Sequence, residues 1–149
     1  MRLLRPLCAL LLLLASLSVT SCQKPAPIPQ EESIAVTYNS IAGCWQLSHL
    51  QGVPLSEQTH LYIEFERKEP RFVMWDNLNS MYTVQSTGTY TITEQEDGSY
   101  TLSGTYDNGV GAWSNDYSVS LTDQGARMLW HSSGEVLDFV RIDYIPELE

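Results

Sequence analysis

The residues best suited to metal binding are three histidines that lie far apart along the chain, His49, His60 and His131. Each falls in a different predicted strand, and the alternation of neighbouring residues does not bring the three side chains to one face. His49 has the strand parity of Trp45 and Leu47, so we expect it to face the interior. The other two fit a cavity wall or the surface, and the sequence predicts no metal site.

Paired acidic residues and one cysteine are the other candidates for chemistry. Glu64 and Glu66, like Glu94 and Glu96, are spaced so that each pair lies on one face of a strand. Such pairs are more typical of solvated, aggregation-resistant strands than of a general acid–base pair. Cys44 has no histidine beside it in the sequence, so we expect a small, partly buried residue and not a nucleophile.

The sequence contains no recognisable catalytic or calcium-binding motif. A nucleophile elbow, a P-loop and a zinc-protease helix are all missing from it. Asp107 and Asn108 precede Gly109, but the stretch lacks the ligand spacing of a calcium loop and predicts a hairpin turn. We therefore expect a protein that is not an enzyme and that uses no cofactor.

The aromatic residues give a better indication of function, because the chain has 4 Trp and 8 Tyr. Trp113 lies in the Gly-rich stretch 108–117, at the mouth of a predicted strand. There it either grips a ligand or packs on the rim. Alternation places Tyr62, Trp75 and Trp130 on the outside, which predicts an exposed apolar patch for a partner.

The N-terminus has the pattern of an export signal, residues 1–21. Arg2 and Arg5 precede an apolar run over 7–17, which is shorter than the roughly 20 residues that span a bilayer. The ending "VTSC" resembles the lipobox of bacterial lipoproteins. That resemblance implies that Cys22 begins the mature chain and carries fatty acyl chains such as palmitate. Ordinary cleavage that leaves Cys22 free is the alternative.

The segment after the signal predicts a spacer. Prolines alternate with other residues in "QKPAPIPQEES", which favours an extended conformation, so we assign residues 22–40 to a tether. We expect an exported protein held at a membrane, the outer membrane in the lipoprotein interpretation, on its periplasmic side or at the cell surface.

The net charge and the cysteine content limit which partners we expect for the protein and for Cys44. The formal net charge is −10, and loss of residues 1–21 removes two arginines and no acidic residue. This excludes nucleic acid and a polybasic contact with lipid, so membrane contact is expected through the lipid anchor only. Cys8 lies in the signal and Cys22 is the lipid site, so Cys44 is left without a disulfide partner.

Residues 41–145 have the alternation and the Thr, Tyr and Val content of β-strands, and residues 146–149 form a short tail. Turn signals at 96–99, 107–111, 122–125 and 132–134 make successive strands antiparallel hairpins. The predicted fold is all-β, an eight-stranded antiparallel up-and-down barrel. Its strands are 43–50, 60–68, 70–76, 81–94 with a bend at Gly88, 99–106, 113–122, 126–132 and 135–142.

Alternation also assigns one face of each strand to the interior. The residues expected to face inward are Leu61, Ile63, Phe65, Phe72, Met74, Tyr90, Ile92, Tyr100, Leu102, Tyr117, Val119, Leu121, Leu137, Phe139 and Arg141.

In two features the chain resembles the lipocalin-like barrels, and specifically the lipocalin-like domains of Gram-negative bacterial lipoproteins. Gly43-x-Trp45 opens the first strand, and Arg141 lies in the last. The resemblance implies that the Arg141 guanidinium stacks on the Trp45 indole and closes one end of the barrel. A middle-loop Thr-Asp-Tyr motif and a C-terminal helix, both typical of transport lipocalins with a large cup, are not found in the sequence.

Our leading hypothesis is a lipid-anchored, non-catalytic barrel that binds a small apolar or amphipathic ligand in its cup. The alternative is an acidic interaction module that binds a cationic protein, for example a lysozyme-like hydrolase, through its loops. The candidate ligand-binding residues are His49, Phe65, Met74, Tyr90, Tyr100, Trp113, Tyr117 and Phe139.

Overall fold

The computed structural model describes residues 34–148. The predicted signal, the lipid site Cys22 and the proline-rich part of the tether lie outside the described residues. A short helix α1 (Tyr38–Ile41) precedes the strands, and a 3₁₀ turn (Asp123–Gly125) joins two of them. The strands are β1 (Gly43–Leu50), β2 (Val53–Pro54), β3 (Leu61–Phe65), β4 (Arg71–Asp76), β5 (Val84–Glu94), β6 (Tyr100–Tyr106), β7 (Tyr117–Thr122), β8 (Arg127–Ser132) and β9 (Glu135–Ile142).

The strands form one antiparallel sheet that closes on itself. Neighbours along the chain pair in sequence order from β3 to β9, and β1 pairs with both β3 and β9. The two-residue strand β2 only extends the far end of β1, where His49 and Leu50 pair with Pro54 and Val53. The closed barrel therefore has eight strands, and the predicted fold class is confirmed.

Glycine 88 allows the long strand β5 to pack tightly against its neighbours. A Cβ placed at Gly88 would lie 2.1 Å from the Thr105 carbonyl oxygen and 2.7 Å from the Phe72 ring. Only a residue without a side chain fits there. Residues 81–83, predicted as strand, instead belong to the loop between β4 and β5, and β7 begins at Tyr117 and not at residue 113.

The barrel interior is built from the faces that alternation assigned to it. Leu61, Ile63 and Phe65 are buried on β3, while the residues between them are only partly covered. The same alternation holds on β4 and β7. The largest side chains with no exposed surface include Trp45, Phe72 and Phe139. A two-residue period with one buried face is what a half-covered sheet requires.

Trp130 is a correction to the predicted faces, because its side chain is only 2% exposed. In the ladder it stands directly opposite Val119 on β7 and Leu137 on β9. Residues that pair across an antiparallel ladder share one face of the sheet. Since Val119 and Leu137 face the interior, Trp130 must face it too.

Tyr62 and Trp75 do lie on the outer face, where they oppose each other across β3 and β4, but both are partly buried. The C-terminal residues Ile145, Pro146 and Leu148 border a surface cavity together with Trp75. The predicted apolar patch is therefore partly covered by the chain's own C-terminal segment. No helix follows β9 as far as Leu148.

His49 is a second correction, because a bulge in β1 turns it outward. Leu47 pairs with Phe139, but His49 pairs with Asp138, so two residues of β1 span one step of β9 at Ser48. An extra residue in a strand inverts the facing of everything beyond it. The His49 side chain is 41% exposed and its Nδ1 lies 3.9 Å from the Asp138 carboxylate, on the outside of the barrel.

The N-terminal part of the described chain packs on the barrel instead of forming part of a tether. The Ile34 amide donates to the Leu121 carbonyl, and Val36 and Ile41 are buried. Helix α1 begins at a capping box in which Thr37 and Ser40 bond each other's backbone amides. The predicted tether boundary at residue 40 is therefore too late, and the domain includes residues 34–40.

Candidate functional site

The two ends of the barrel differ, and the end where β1 begins is sealed. The Arg141 guanidinium carbon lies 4.1 Å from the centre of the Trp45 ring. Its Nη1, Nη2 and Nε donate to the carbonyls of Ala42 (2.7 Å), Ser40 (2.6 Å) and Gly125 (2.9 Å). Burial lowers the pKa of Arg141, with a further contribution from Arg67.

Trp45 forms the floor of the barrel and no binding surface. Its side chain is fully buried, and its Nε1 donates to the Ile41 carbonyl at 2.8 Å. Gly43 turns the chain beneath it with a φ of +114°, and a Cβ there would lie 3.1 Å from Arg141 Nη1. Glycine is the residue that accepts this backbone conformation and this contact. The contact implied by the lipocalin resemblance is present.

The opposite end carries the longer loops. Because β1 runs away from the floor and successive strands alternate in direction, the loops over 51–60, 77–83, 107–116 and 133–134 all connect strands at this second end. Exposed apolar side chains gather in or beside these loops. Val53 (64% exposed), Met81 (93%), Tyr82 (79%) and Val110 (72%) are the most exposed of them.

An inner pocket of about 190 Å³ opens at this end. Its lining combines aromatic rings, aliphatic side chains, two carboxylates and two small polar groups. The lining residues are Leu61, Met74, Asp76, Leu78, Asn79, Tyr106, Trp113, Ser114, Tyr117, Trp130, Glu135 and Leu137. Pockets that enclose a drug-sized ligand usually have about 300–1,000 Å³, so this one is small.

Backbone contacts and ring packing fix Trp113 in the pocket wall. Its amide donates to the Gly104 carbonyl at 2.8 Å, and a Cβ on Gly104 would lie 2.1 Å from the indole Cε2. The indole stacks on Trp130 with ring centres 5.2 Å apart and planes 28° apart. Tyr117 packs against Trp130 at 5.1 Å. The aromatic wall is therefore preformed.

Glu135 places a carboxylate beside these rings. The Tyr117 hydroxyl donates to Glu135 Oε2 at 2.8 Å, and the Asn115 side-chain amide donates to the same oxygen at 3.2 Å. Burial, followed by the bond to Glu135, raises the pKa of Tyr117 to about 12. Tyr117 is therefore a neutral donor at physiological pH. Asp76, the other carboxylate of the pocket, accepts a bond from the Leu78 amide at 3.2 Å.

A larger groove of about 420 Å³ lies beside the inner pocket. Leu78, Asn79 and Glu135 border both spaces, so the two lie side by side. The rest of the groove is mainly apolar, and its other lining residues are Leu50, Val53, Pro54, Leu55, Ser56 and Thr59.

Below the pocket the barrel is filled by its own side chains. Phe65, Tyr90 and Phe139 are at most 2% exposed, and the rings of Phe65 and Tyr90 pack edge to face at 4.7 Å. Burial, with contributions from Tyr38 and Glu66, raises the pKa of Tyr90 to about 12. An eight-stranded barrel is narrow enough to be filled in this way.

The structure thus gathers some of the predicted ligand-binding residues and separates others. Met74, Trp113 and Tyr117 line the inner pocket. Phe65, Tyr90, Tyr100, Phe139 and the outward-facing His49 line neither the pocket nor the groove. Those five positions are not placed to contact a ligand at this end.

Sequence reasoning also missed four important lining residues, Asp76, Tyr106, Trp130 and Glu135. Trp130 was recoverable from the sequence, because Met128 and Trp130 share one face of a strand and aromatic residues favour the interior. Nothing in the sequence indicated that Asp76 and Glu135 line a pocket, since each is a lone acidic residue at one end of a strand.

Cys44 has no catalytic environment. It is a free, partly buried thiol, and burial followed by the charge of Glu64 raises its pKa. Within residues 34–148, no group of three or more His, Cys, Asp or Glu side chains is arranged to hold a metal ion. The same stretch of chain contains no helix whose length and apolar character would let it cross a membrane.

Fold and site together define a small closed β-barrel with a pocket at the end opposite its sealed floor. A family model described as a lipocalin-like domain matches residues 41–124, which is more than half of the chain. The protein therefore belongs to the lipocalin-like domain family, whose fold is in general a ligand-binding one. Searches of the curated proteins and of the solved structures found no match.

Proposed function

We propose that this protein binds a small amphipathic molecule at the open end of the barrel and does not transform it chemically. The observation that supports this most strongly is that the aromatic inner pocket of about 190 Å³ and the apolar groove of about 420 Å³ lie side by side and share three lining residues. The first space suits a compact group and the second suits an alkyl chain that remains partly exposed. A long fatty acid enclosed within the barrel does not fit, because the lower interior is filled.

The proposal includes a lipid anchor on Cys22 that keeps the exported protein at a membrane, the outer membrane in this interpretation. The sequence pattern "VTSC" supports this part. Mass spectrometry of the protein extracted from bacterial membranes should find diacylglyceryl and acyl groups on Cys22. Recovery of an unmodified N-terminal Cys22 would contradict the anchor and leave ligand binding unaffected.

Ligand binding is tested with a neutral fluorescent amphiphile, N-phenyl-1-naphthylamine, whose emission rises in an apolar site. Asn79 is exposed and borders both spaces, so Asn79→Tyr should obstruct them without entering the core. We expect this variant to lose binding by about ten-fold, equivalent to about 1.4 kcal/mol.

The matched control is Met81→Tyr, which places the same side chain two residues along the same loop. Met81 is 93% exposed and borders neither space. It should bind the probe as the unmodified protein does. Equal binding by the Asn79→Tyr and Met81→Tyr variants would place the probe elsewhere and contradict the proposed site.

A further inference from the structure

The walls of the inner pocket have a definite charge character. Four aromatic rings line it, those of Tyr106, Trp113, Tyr117 and Trp130, together with the carboxylates of Asp76 and Glu135. Among the described residues that border the pocket or the groove, there is no Lys, Arg or His. The site therefore offers two carboxylates and the partly exposed ring of Tyr106, and no cation to bind an anionic group.

From this arrangement we infer that the polar group of the ligand is a small organic cation, an ammonium or quaternary ammonium group. This inference rests on the proposed function and specifies the ligand class of the same site. Aromatic faces attract such cations through the ring quadrupole, and the attraction grows when water is excluded. Of the four rings only that of Tyr106 is partly exposed, so it is the one that a cation can reach. Trp113 and Trp130, 9% and 2% exposed, pack on each other and form a desolvated wall.

Glu135 is the counter-charge. Both of its neutral donors, Tyr117 and Asn115, bond to Oε2, and no residue within 34–148 bonds to Oε1. One oxygen thus holds the side chain in place, and the other is left for the ligand. Glu135 also borders the groove, so an ammonium group beside it can have its alkyl chain on Leu55 and Leu78.

An anionic ligand would be repelled by the carboxylates of this pocket. A sulfate or carboxylate head group in this pocket would face Glu135 and Asp76 with no basic side chain in the lining to compensate. Like charges at close range in a partly desolvated site are unfavourable. The overall net charge of −10 adds to this repulsion at long range.

The experiment compares three amphiphiles that share one tail: octyltrimethylammonium, octyl glucoside and octyl sulfate, each below its micelle-forming concentration. Binding is followed by the change in intrinsic tryptophan fluorescence and by calorimetry. We expect the cation to bind about ten-fold more tightly than the neutral compound, as a desolvated cation–π contact and one carboxylate allow. The anion should bind more weakly than the neutral compound.

Glu135→Gln removes the counter-charge and keeps an oxygen that can accept from Tyr117. It should weaken binding of the cation about five- to ten-fold and change binding of octyl glucoside less than two-fold. The matched control is Glu57→Gln, which removes one negative charge from an exposed loop position that borders neither space. It should leave both affinities unchanged.

The outcomes separate the two proposals. Equal affinity for all three compounds, or a preference for the sulfate, overturns the cation inference while the site itself stands. If none of the three binds and the naphthylamine probe also fails, the proposed function falls with it. The comparison of ligands uses the unmodified protein, so the test stands even if the Glu135→Gln variant does not fold.

Discussion

Arg141 should contribute a large share of the stability of this barrel. Its guanidinium makes three hydrogen bonds to main-chain carbonyls and lies over the Trp45 ring. Two of the carbonyls, those of Ala42 and Ser40, belong to the segment that leads into β1. Replacing Arg141 by Ala therefore removes the side-chain bonds between this segment and the last strand as well as uncovering Trp45.

The expected loss of unfolding free energy follows from these contacts. A hydrogen bond to a charged group contributes about 1.5–3 kcal/mol, and the contact with the ring about 0.5–2 kcal/mol. The contributions do not add fully, because carbonyls near the surface can bond to water once the side chain is gone. We expect Arg141→Ala to lower the free energy of unfolding by about 3 kcal/mol. For a domain of this size that lowers Tm by about 10 °C.

The assay is urea unfolding followed by circular dichroism and tryptophan fluorescence, with the slope m compared between variants. Arg141→Lys keeps the positive charge but not the three-way fork, and should lose about half as much stability. The control is Arg67→Ala. Arg67 is an exposed arginine whose positive charge lowers the pKa of Arg141. A loss of unfolding free energy below about 1 kcal/mol for Arg141→Ala would refute this prediction, since the interactions of exposed charged side chains commonly contribute no more than that.

Two further predictions concern the interior. Gly104→Ala places a methyl group 2.1 Å from the Trp113 ring. It should cost about 1–3 kcal/mol and alter the near-ultraviolet circular dichroism of the stacked indoles, and an unchanged spectrum would contradict the contact. Absorbance titration should find two tyrosines, Tyr90 and Tyr117, that ionise only near pH 12 in the folded protein. Because the unfolded chain releases these protons first, near pH 10, the free energy of unfolding should fall as the pH rises from 10 to 12. Ionisation of every tyrosine near pH 10 in the folded state would count against their burial.

Much of the fold was predictable because alternation and turn residues act locally. The interior residues of β3, β4 and β7 follow directly from a two-residue period. His49 was misplaced because the bulge at Ser48 depends on how β1 pairs with β9, which no local pattern reveals. The burial of residues 34–40 depends on a surface formed by distant strands. A local sequence pattern does not reveal it, so the predicted tether included these residues.

The site was only partly predictable for a similar reason. Trp113 and Tyr117 stood out as aromatic residues near a loop, and both line the pocket. Glu135 gains its importance from the Tyr117 hydroxyl and the Asn115 amide, which come from the start of β7 and the loop before it. The size of the pocket is set by how far Phe65, Tyr90 and Phe139 fill the barrel below it, and this depends on packing in three dimensions.

The ladder contact of Ile34 with Leu121 fixes where the chain enters the domain. It enters beside the sealed floor, at the end opposite the pocket. The pocket therefore opens at the end of the barrel farthest from this attachment point, and the entering chain does not obstruct it.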